Sequence, residues 1–129
     1  MKLLLDTHAF LWMSLDDPKL CDNARNLLAD PNNELLLSPA SYWEIAIKIS
    51  TGAYTLSEPL DEFVNREVER NEFGILSIGI NHAAIVAQLP FHHRDPFDRM
   101  LIAQALCEDI AIVGKDEVFD QYNVRRVWK

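Results

Sequence analysis

Runs of consecutive apolar residues alternate along this chain with segments of helical periodicity. Leu3–Leu5, Leu35–Leu37 and Ile110–Val113 are apolar at every position, which is typical of strands buried on both faces. Segments that read as helices separate the three runs, and this order favours a parallel sheet covered by helices on both sides. The predicted fold class is therefore α/β, a three-layer sandwich around a central parallel sheet.

Capping residues, prolines and glycines bound the remaining elements. Thr7 is the predicted cap of the first helix, and Ser38-Pro39 is a cap followed by proline at the first helical position. The predicted helices cover residues 8–15, 22–29, 39–51, 57–71, 81–89, 97–107 and 117–121, and weaker strands cover 74–78 and 124–127.

Length and composition predict one compact domain over residues 1–129. No apolar run approaches the roughly 20 residues of a membrane span, and the N-terminus lacks a signal-peptide pattern, so we expect a soluble, cytoplasmic protein that does not contact a membrane. The two cysteines are too few for a disulfide scaffold. The formal net charge of −8 argues against a basic nucleic-acid face, but clustered carboxylates that bind cations would offset it.

Acidic residues follow two of the predicted strands. Asp6 comes directly after the first apolar run, and Asp116 comes shortly after Ile110–Val113. In open α/β sheets, ligands bind beyond the carboxyl ends of the strands, so we expect both carboxylates at one edge of the sheet. Helix capping is the alternative role for each of them.

Three further acids lie in or before apolar helices. Glu44 is the only acid in the segment 41–49, where an i,i+4 pair with Lys48 is the alternative to a functional role. Asp95 and Asp98 open the helix at 97–107, where Asp95 is also a good N-cap. Buried carboxylates are costly unless a positive group lies among them, and a hard divalent cation meets that need.

The histidines and Arg99 carry weaker predictions. Neighbouring His92 and His93 point in different directions, so a two-histidine metal site is improbable and we expect solvated loop residues. Arg99 follows Asp98 directly, and we expect it to screen the acidic residues or to contact phosphate.

Four segments together resemble the PIN domain family, and in particular its VapC-type toxin ribonucleases of type II toxin–antitoxin systems. They are Leu3–His8, the helix Ser41–Lys48, the block Asp95–Ala105 and the segment Ile112–Asp116. The resemblance runs in order along nearly the whole chain, and the Asp95–Ala105 block is its most specific part. It implies a PIN-like sandwich of a central parallel sheet with helices on both faces.

The resemblance also implies a function. A member of this family would be a metal-dependent endoribonuclease that uses Mg²⁺ or Mn²⁺, forms a homodimer and is bound by a cognate antitoxin protein. The catalytic set of the family corresponds here to Asp6, Glu44, Asp98 and Asp116, and Asp95 is an additional acid for the metal site. RNA would be the substrate.

One departure and two alternatives stay open at this stage. Many family members carry Thr or Ser two residues before the last acid, and this chain has Gly114 there, without the hydroxyl that could orient water or metal. One alternative is therefore a catalytically inactive PIN-like module that binds a protein partner. The other is a phosphatase of the haloacid-dehalogenase type, but that chemistry needs a second Asp where this chain has His8.

Overall fold

The computed structural model describes all 129 residues and contains one sheet of five parallel strands. The order of the strands across the sheet is β3-β2-β1-β4-β5. Their bounds are β1 Lys2–Leu5, β2 Glu34–Leu37, β3 Gly74–Ile75, β4 Ala111–Val113 and β5 Arg126–Val127.

Six α-helices and one short 3₁₀ helix connect and cover these strands. Their bounds are α1 Thr7–Ser14, α2 Asp22–Ala29, α3 Pro39–Ser50, α4 Leu60–Arg70, α5 Ile80–Val86, α6 Pro96–Glu108 and the 3₁₀ helix Glu117–Gln121. None of the helices combines the length and the apolar character that crossing a membrane requires.

The side chains of β1 alternate between two hydrophobic cores, one on each side of the sheet. Leu3 and Leu5 pack in the core that includes Phe10 of α1 and Phe63 of α4. Leu4 points the other way and packs in the core formed largely by α6. Because all three leucines are fully buried, β1 is covered by helices on both faces, and the predicted three-layer α/β fold is confirmed.

The strand order brings the ends of β1 and β4 together at the point where the order reverses. Leu4 pairs with Leu36 of β2 on one side and with Ile112 of β4 on the other. The backbone N–H of Asp6 extends this pairing by donating to the carbonyl of Val113 at 3.0 Å. A crevice at such a switch point is where α/β sheets place their ligand sites.

Several predicted boundaries were wrong by a few residues. Asp6, rather than Thr7, caps α1, because its carboxylate accepts the N–H of Ala9. The two weaker strands are short and end the sheet at its edges, so little pairing defines their length. The edge strand predicted over 74–78 contains only Gly74–Ile75, and the one predicted over 124–127 contains only Arg126–Val127.

The central position of Leu4 leads to a stability prediction. Leu4→Ala should leave a cavity between the sheet and α6, and we expect it to lower the free energy of unfolding by about 2–5 kcal/mol. Urea denaturation measures this change. Leu15, which is 49% exposed, is the matched control, and Leu15→Ala should change the same quantity by less than about 0.5 kcal/mol. Equal losses in the two variants would contradict the placement of Leu4.

Candidate metal centre

Asp6 lies at the switch point of the sheet, between the end of β1 and the start of α1. Asp6 is only 5% exposed to solvent. Its Oδ1 atom accepts a hydrogen bond of 2.8 Å from the backbone N–H of Ala9, as expected of an N-cap. No group of the protein donates a hydrogen bond to its Oδ2 atom, so one carboxylate oxygen is left without a donor.

Burial and neighbouring negative charge make the ionised form of Asp6 costly. Burial raises the pKa of the Asp6 carboxyl to about 7, in spite of the Ala9 hydrogen bond, which lowers it. The negative charges of Asp98, Glu44 and Asp116 raise this pKa further. Carboxylates from three distant parts of the sequence therefore act on Asp6.

Glu44 is buried on α3, and both of its carboxylate oxygens have partners. The hydroxyl of Thr7 donates to Oε1 at 2.7 Å, and the ammonium of Lys48 lies 2.8 Å from Oε2. The i,i+4 pair with Lys48 is thus present, and Glu44 also reaches α1 through Thr7. The hydrogen bond from Lys48 raises the pKa of that ammonium, so Lys48 holds a positive charge at the border of the site.

Asp98 enters the site from the first turn of α6. Asp95 caps this helix, and its Oδ1 accepts the N–H groups of Phe97 at 2.8 Å and Asp98 at 3.1 Å. Burial raises the pKa of the Asp98 carboxyl to about 6, with a further increase from the negative charge of Asp95 and an opposing decrease from His93. One oxygen of Asp95 therefore serves as the cap, and the charge of Asp95 acts on Asp98.

His93 lies between Asp98 and Asp116. Its Nε2 atom lies 2.8 Å from Oδ2 of Asp98 and 3.7 Å from Oδ2 of Asp116. The nearest nitrogen and carboxylate oxygens of these three residues lie within 4.8 Å of one another. Neither the Asp6 nor the Glu44 carboxylate belongs to this closest group. Asp116 is half exposed and also caps the 3₁₀ helix through the N–H of Val118.

The prediction that His93 is a solvated loop residue was wrong, whereas His92 is exposed as expected. His93 is half-buried, and its ring packs edge-on against Phe119. The only sequence signal was its position just before the Asp95 cap, where the chain turns into α6. That signal does not say which of the two histidines points inward.

The prediction for Arg99 was also wrong. Arg99 is buried and points away from the acids, with its guanidinium over the ring of Phe91 at 4.0 Å. Its guanidinium donates hydrogen bonds to the backbone carbonyls of Val86, Leu89, Pro90 and His93. It therefore holds the loop between α5 and α6 in place and is unavailable to screen the acids or to contact phosphate.

Gly114 lets the Asp6 carboxylate occupy its position. A Cβ atom built on Gly114 would lie 2.6 Å from Oδ2 of Asp6 and 3.3 Å from the ring of Phe119. A side chain at this position would therefore require the Asp6 carboxylate to move. Gly114 therefore lacks the hydroxyl of the Thr or Ser that many family members have, and it also lets the Asp6 carboxylate lie against the backbone that follows β4.

The donor set of the crevice fits a hard divalent cation. Carboxylate oxygens are the ligands that Mg²⁺ and Mn²⁺ prefer. Burial is the main cause of the raised pKa values of Asp6 and Asp98, and the negative charges of neighbouring carboxylates raise both pKa values further. Lys48 pairs with Glu44, and no lysine or arginine forms a salt bridge with Asp6, Asp98 or Asp116. A cation would supply the missing positive charge.

A second group of possible ligands, His82, Cys107 and Glu108, does not fit a metal. Nδ1 of His82 accepts the backbone N–H of Gly79 at 2.9 Å, so the ring proton lies on Nε2 in the neutral form. This Nε2–H group is buried and lies 3.8 Å from the carboxylate of Glu108. A protonated nitrogen cannot bind a metal. The Nε2–H group of His82 is therefore a hydrogen-bond donor without an acceptor, close to the carboxylate of Glu108.

The sequence of the chain matches one known family. Residues 3–124 match the PIN domain family, and the chain belongs to it. Comparison with curated proteins found no match. The predicted resemblance to PIN domains is therefore confirmed at the level of the family.

Several solved structures have a similar fold. VapBC2 from Rickettsia felis, bound to a DNA fragment of its promoter, has a TM-score of 0.76 and 17% identity, with all of both chains covered. VapBC-1 from nontypeable Haemophilus influenzae has a TM-score of 0.67 and 17% identity, over 98% of this chain and 97% of that one. FitAcB from Neisseria gonorrhoeae has a TM-score of 0.65 and 20% identity, over 96% and 95%.

The raised pKa of Asp6 predicts how the stability of the metal-free protein depends on pH. A carboxyl whose pKa is higher in the folded than in the unfolded state keeps its proton longer when folded, so stability falls as pH rises from about 4 to about 7. Asp6→Asn cannot ionise and can still cap α1. In EDTA at pH 8, we expect its free energy of unfolding to exceed that of the wild type by about 1–4 kcal/mol.

Urea denaturation at pH 4 and pH 8 measures this difference, which should nearly vanish at pH 4. Asp109 is an exposed acid that forms no side-chain hydrogen bond, and its left-handed backbone also suits asparagine. Asp109→Asn is therefore the control and should retain the pH dependence of the wild type. If the free energy of unfolding of Asp6→Asn depended on pH as that of the wild type does, a group other than Asp6 would cause the pH dependence.

The contact at Gly114 predicts that even one added methyl group disturbs the site. Gly114→Ala should displace the Asp6 carboxylate, and we expect Mn²⁺ binding to weaken roughly 10-fold, as when a group that orients a ligand is disturbed. Isothermal titration calorimetry measures the affinity. Gly52→Asn, at a positive φ with no atom near its Cβ position, is a control that should bind Mn²⁺ like the wild type. Unchanged binding by Gly114→Ala would mean that Asp6 has room to move without loss.

Proposed function

We propose that this protein is a metal-dependent endoribonuclease that hydrolyses phosphodiester bonds of RNA. The observation that carries the proposal is the convergence of Asp6, Glu44, Asp98 and Asp116 on one crevice of a PIN domain. The charges of the other three acids all raise the pKa of Asp6, so they form one electrostatic unit. Membership of the PIN family gives no support to the phosphatase alternative.

The chemistry of the site follows from its donors. Mg²⁺ or Mn²⁺, when bound, supplies Lewis acidity for the attack of water on a phosphodiester. Asp6 and Asp98 would be its central ligands, and Glu44 and Asp116 would hold it directly or through water. Asp95 contributes negative charge beside Asp98. No serine or cysteine nucleophile is required.

The individual carboxylates suit different tasks. Asp116 is half exposed, so its oxygens are open to water and to an incoming strand. Glu44 holds Thr7 and Lys48 with its two oxygens, so its first effect is to fix α1 against α3 at the border of the site. Binding of a cation by Glu44 would require it to share or release one of these partners.

We further propose that the protein is the toxin of a toxin–antitoxin pair and acts as a homodimer. The fold similarity to VapBC2, VapBC-1 and FitAcB supports the assignment to such a pair. An antitoxin that places a basic side chain among the acids would compensate their charge, in agreement with the net charge of −8. Residues 1–129 would form a single domain that acts on RNA in the cytoplasm.

Cleavage of a mixed RNA pool by the purified, antitoxin-free protein tests the proposal. With Mg²⁺ or Mn²⁺, the wild type should cleave RNA, and EDTA should abolish the cleavage. Asp98→Asn, like Asp6→Asn, should lose roughly 100-fold or more of this activity, because it removes a carboxylate oxygen from the cation. The rate is measured from the disappearance of full-length RNA.

Asp109→Asn is the matched control, because Asp109 is the C-cap of the same helix whose first turn contains Asp98. This control should cleave RNA at the rate of the wild type. Equal weak cleavage by the wild type and Asp98→Asn would indicate a contaminating nuclease. A folded wild type that neither cleaves RNA nor binds Mn²⁺ would contradict the proposal and favour a protein-binding module.

A further inference from the structure

We propose that His93 is a positioning residue of the candidate metal centre, whose Nε2–H group holds one oxygen of Asp98 and leaves the other to the cation. The inference rests on the proposed function only in that the site binds a divalent cation. His93 does not belong to the acidic set that the sequence predicted.

The contacts of the imidazole ring determine which nitrogen carries the proton. Nδ1 of His93 lies 3.4 Å from the backbone nitrogen of Asp95, which can only donate. Nδ1 is therefore the acceptor, and the proton of the neutral ring lies on Nε2. That Nε2–H group faces Oδ2 of Asp98 at 2.8 Å, which is a hydrogen bond of ordinary length.

The hydrogen bond leaves Asp98 with one free oxygen. No group of the protein donates to Oδ1 of Asp98, so this atom remains available as a ligand. A carboxylate held at one oxygen has fewer orientations to lose when its other oxygen binds a cation. Hydrogen bonds that orient a ligand in this way commonly contribute a factor of ten or more to metal affinity.

Hydrogen bonds fix the backbone of His93 at both its N–H and its carbonyl, so the position of the ring beside Asp98 is well defined. Its N–H donates to the hydroxyl of Tyr122 at 2.9 Å, and that hydroxyl donates to the carbonyl of Pro90 at 2.7 Å. Its carbonyl accepts a hydrogen bond from the buried guanidinium of Arg99 at 3.3 Å. The ring itself packs edge-on against Phe119. Arg99 thus acts on the site indirectly, through the position of His93.

The same ring reaches the second acid of the crevice. Oδ2 of Asp116 lies 3.7 Å from Nε2, beyond hydrogen-bonding distance, while Oδ1 of Asp116 caps the 3₁₀ helix. His93 therefore makes one hydrogen bond, to Asp98, and lies beside Asp116 without binding it.

Two substitutions at His93 separate positioning from other roles. His93→Gln retains an N–H donor on a flexible side chain, whereas His93→Leu removes the donor and keeps an apolar group in contact with Phe119. His92→Leu is the control, because His92 is exposed and contacts Tyr122 only through its ring edge. Isothermal titration with Mn²⁺ at pH 7.5 gives the affinity of each protein, and thermal unfolding in EDTA verifies that each is folded.

We expect His93→Leu to bind Mn²⁺ about 10- to 100-fold more weakly than the wild type. His93→Gln should restore most of this loss, and His92→Leu should match the wild type. In the metal-free wild type, ¹⁵N NMR should find the His93 proton on Nε2. Unchanged binding by His93→Leu would overturn the proposal. So would a His93→Gln variant as weak as His93→Leu, since an N–H donor at this position would then not account for the effect of His93.

The binding measurement is independent of RNA cleavage. A wild type that binds Mn²⁺ with the expected series of affinities but cleaves no RNA would refute the proposed function and leave the role of His93 intact. The reverse result, cleavage that is equal in His93→Leu and the wild type with equal Mn²⁺ affinity, would refute only the role of His93. A wild type that binds no Mn²⁺ would refute both.

Discussion

The burial of the Asp6 carboxylate at the end of β1 is the constraint on which the site depends. A carboxylate in that position loses water and gains three acidic neighbours, so its pKa rises to about 7. The fold tolerates this cost because β1 lies between β2 and β4 and is covered on both faces, which fixes its end at the switch point. The stability of the sheet thus holds in place a charge that is unfavourable by itself.

Helix caps make this concentration of charge structurally possible. Asp6, Asp95 and Asp116 each accept the backbone N–H groups at the start of a helix or 3₁₀ helix. The amide dipoles there favour negative charge and orient the carboxylates. Capping and a functional role are therefore compatible, because a cap uses Oδ1 and leaves the second oxygen. Helix capping and metal binding, the two roles that the sequence allows for these acids, are thus two uses of the same side chain.

A layer of contacts around the acids determines how they are oriented. Thr7 and Lys48 hold the two oxygens of Glu44, and His93 holds one oxygen of Asp98. Arg99 is one step further away, where it fixes the loop that carries His93. The region thus has an acidic centre, a set of donors in contact with it, and a buried guanidinium that binds only backbone carbonyls.

The sequence by itself determined the three central strands and the positions of the acids, because apolar runs and capping residues are local signals. It also identified the PIN family, through motifs spread along nearly the whole chain. Only the tertiary structure decided which groups surround the acids. The inward position of His93 and the contact of Gly114 with Asp6 depend on elements far apart in sequence. The direction of Arg99 depends on carbonyls that the end of α5 and the following loop bring around its guanidinium. Tyr122 orients His93 across 29 positions, and no local pattern encodes such a contact.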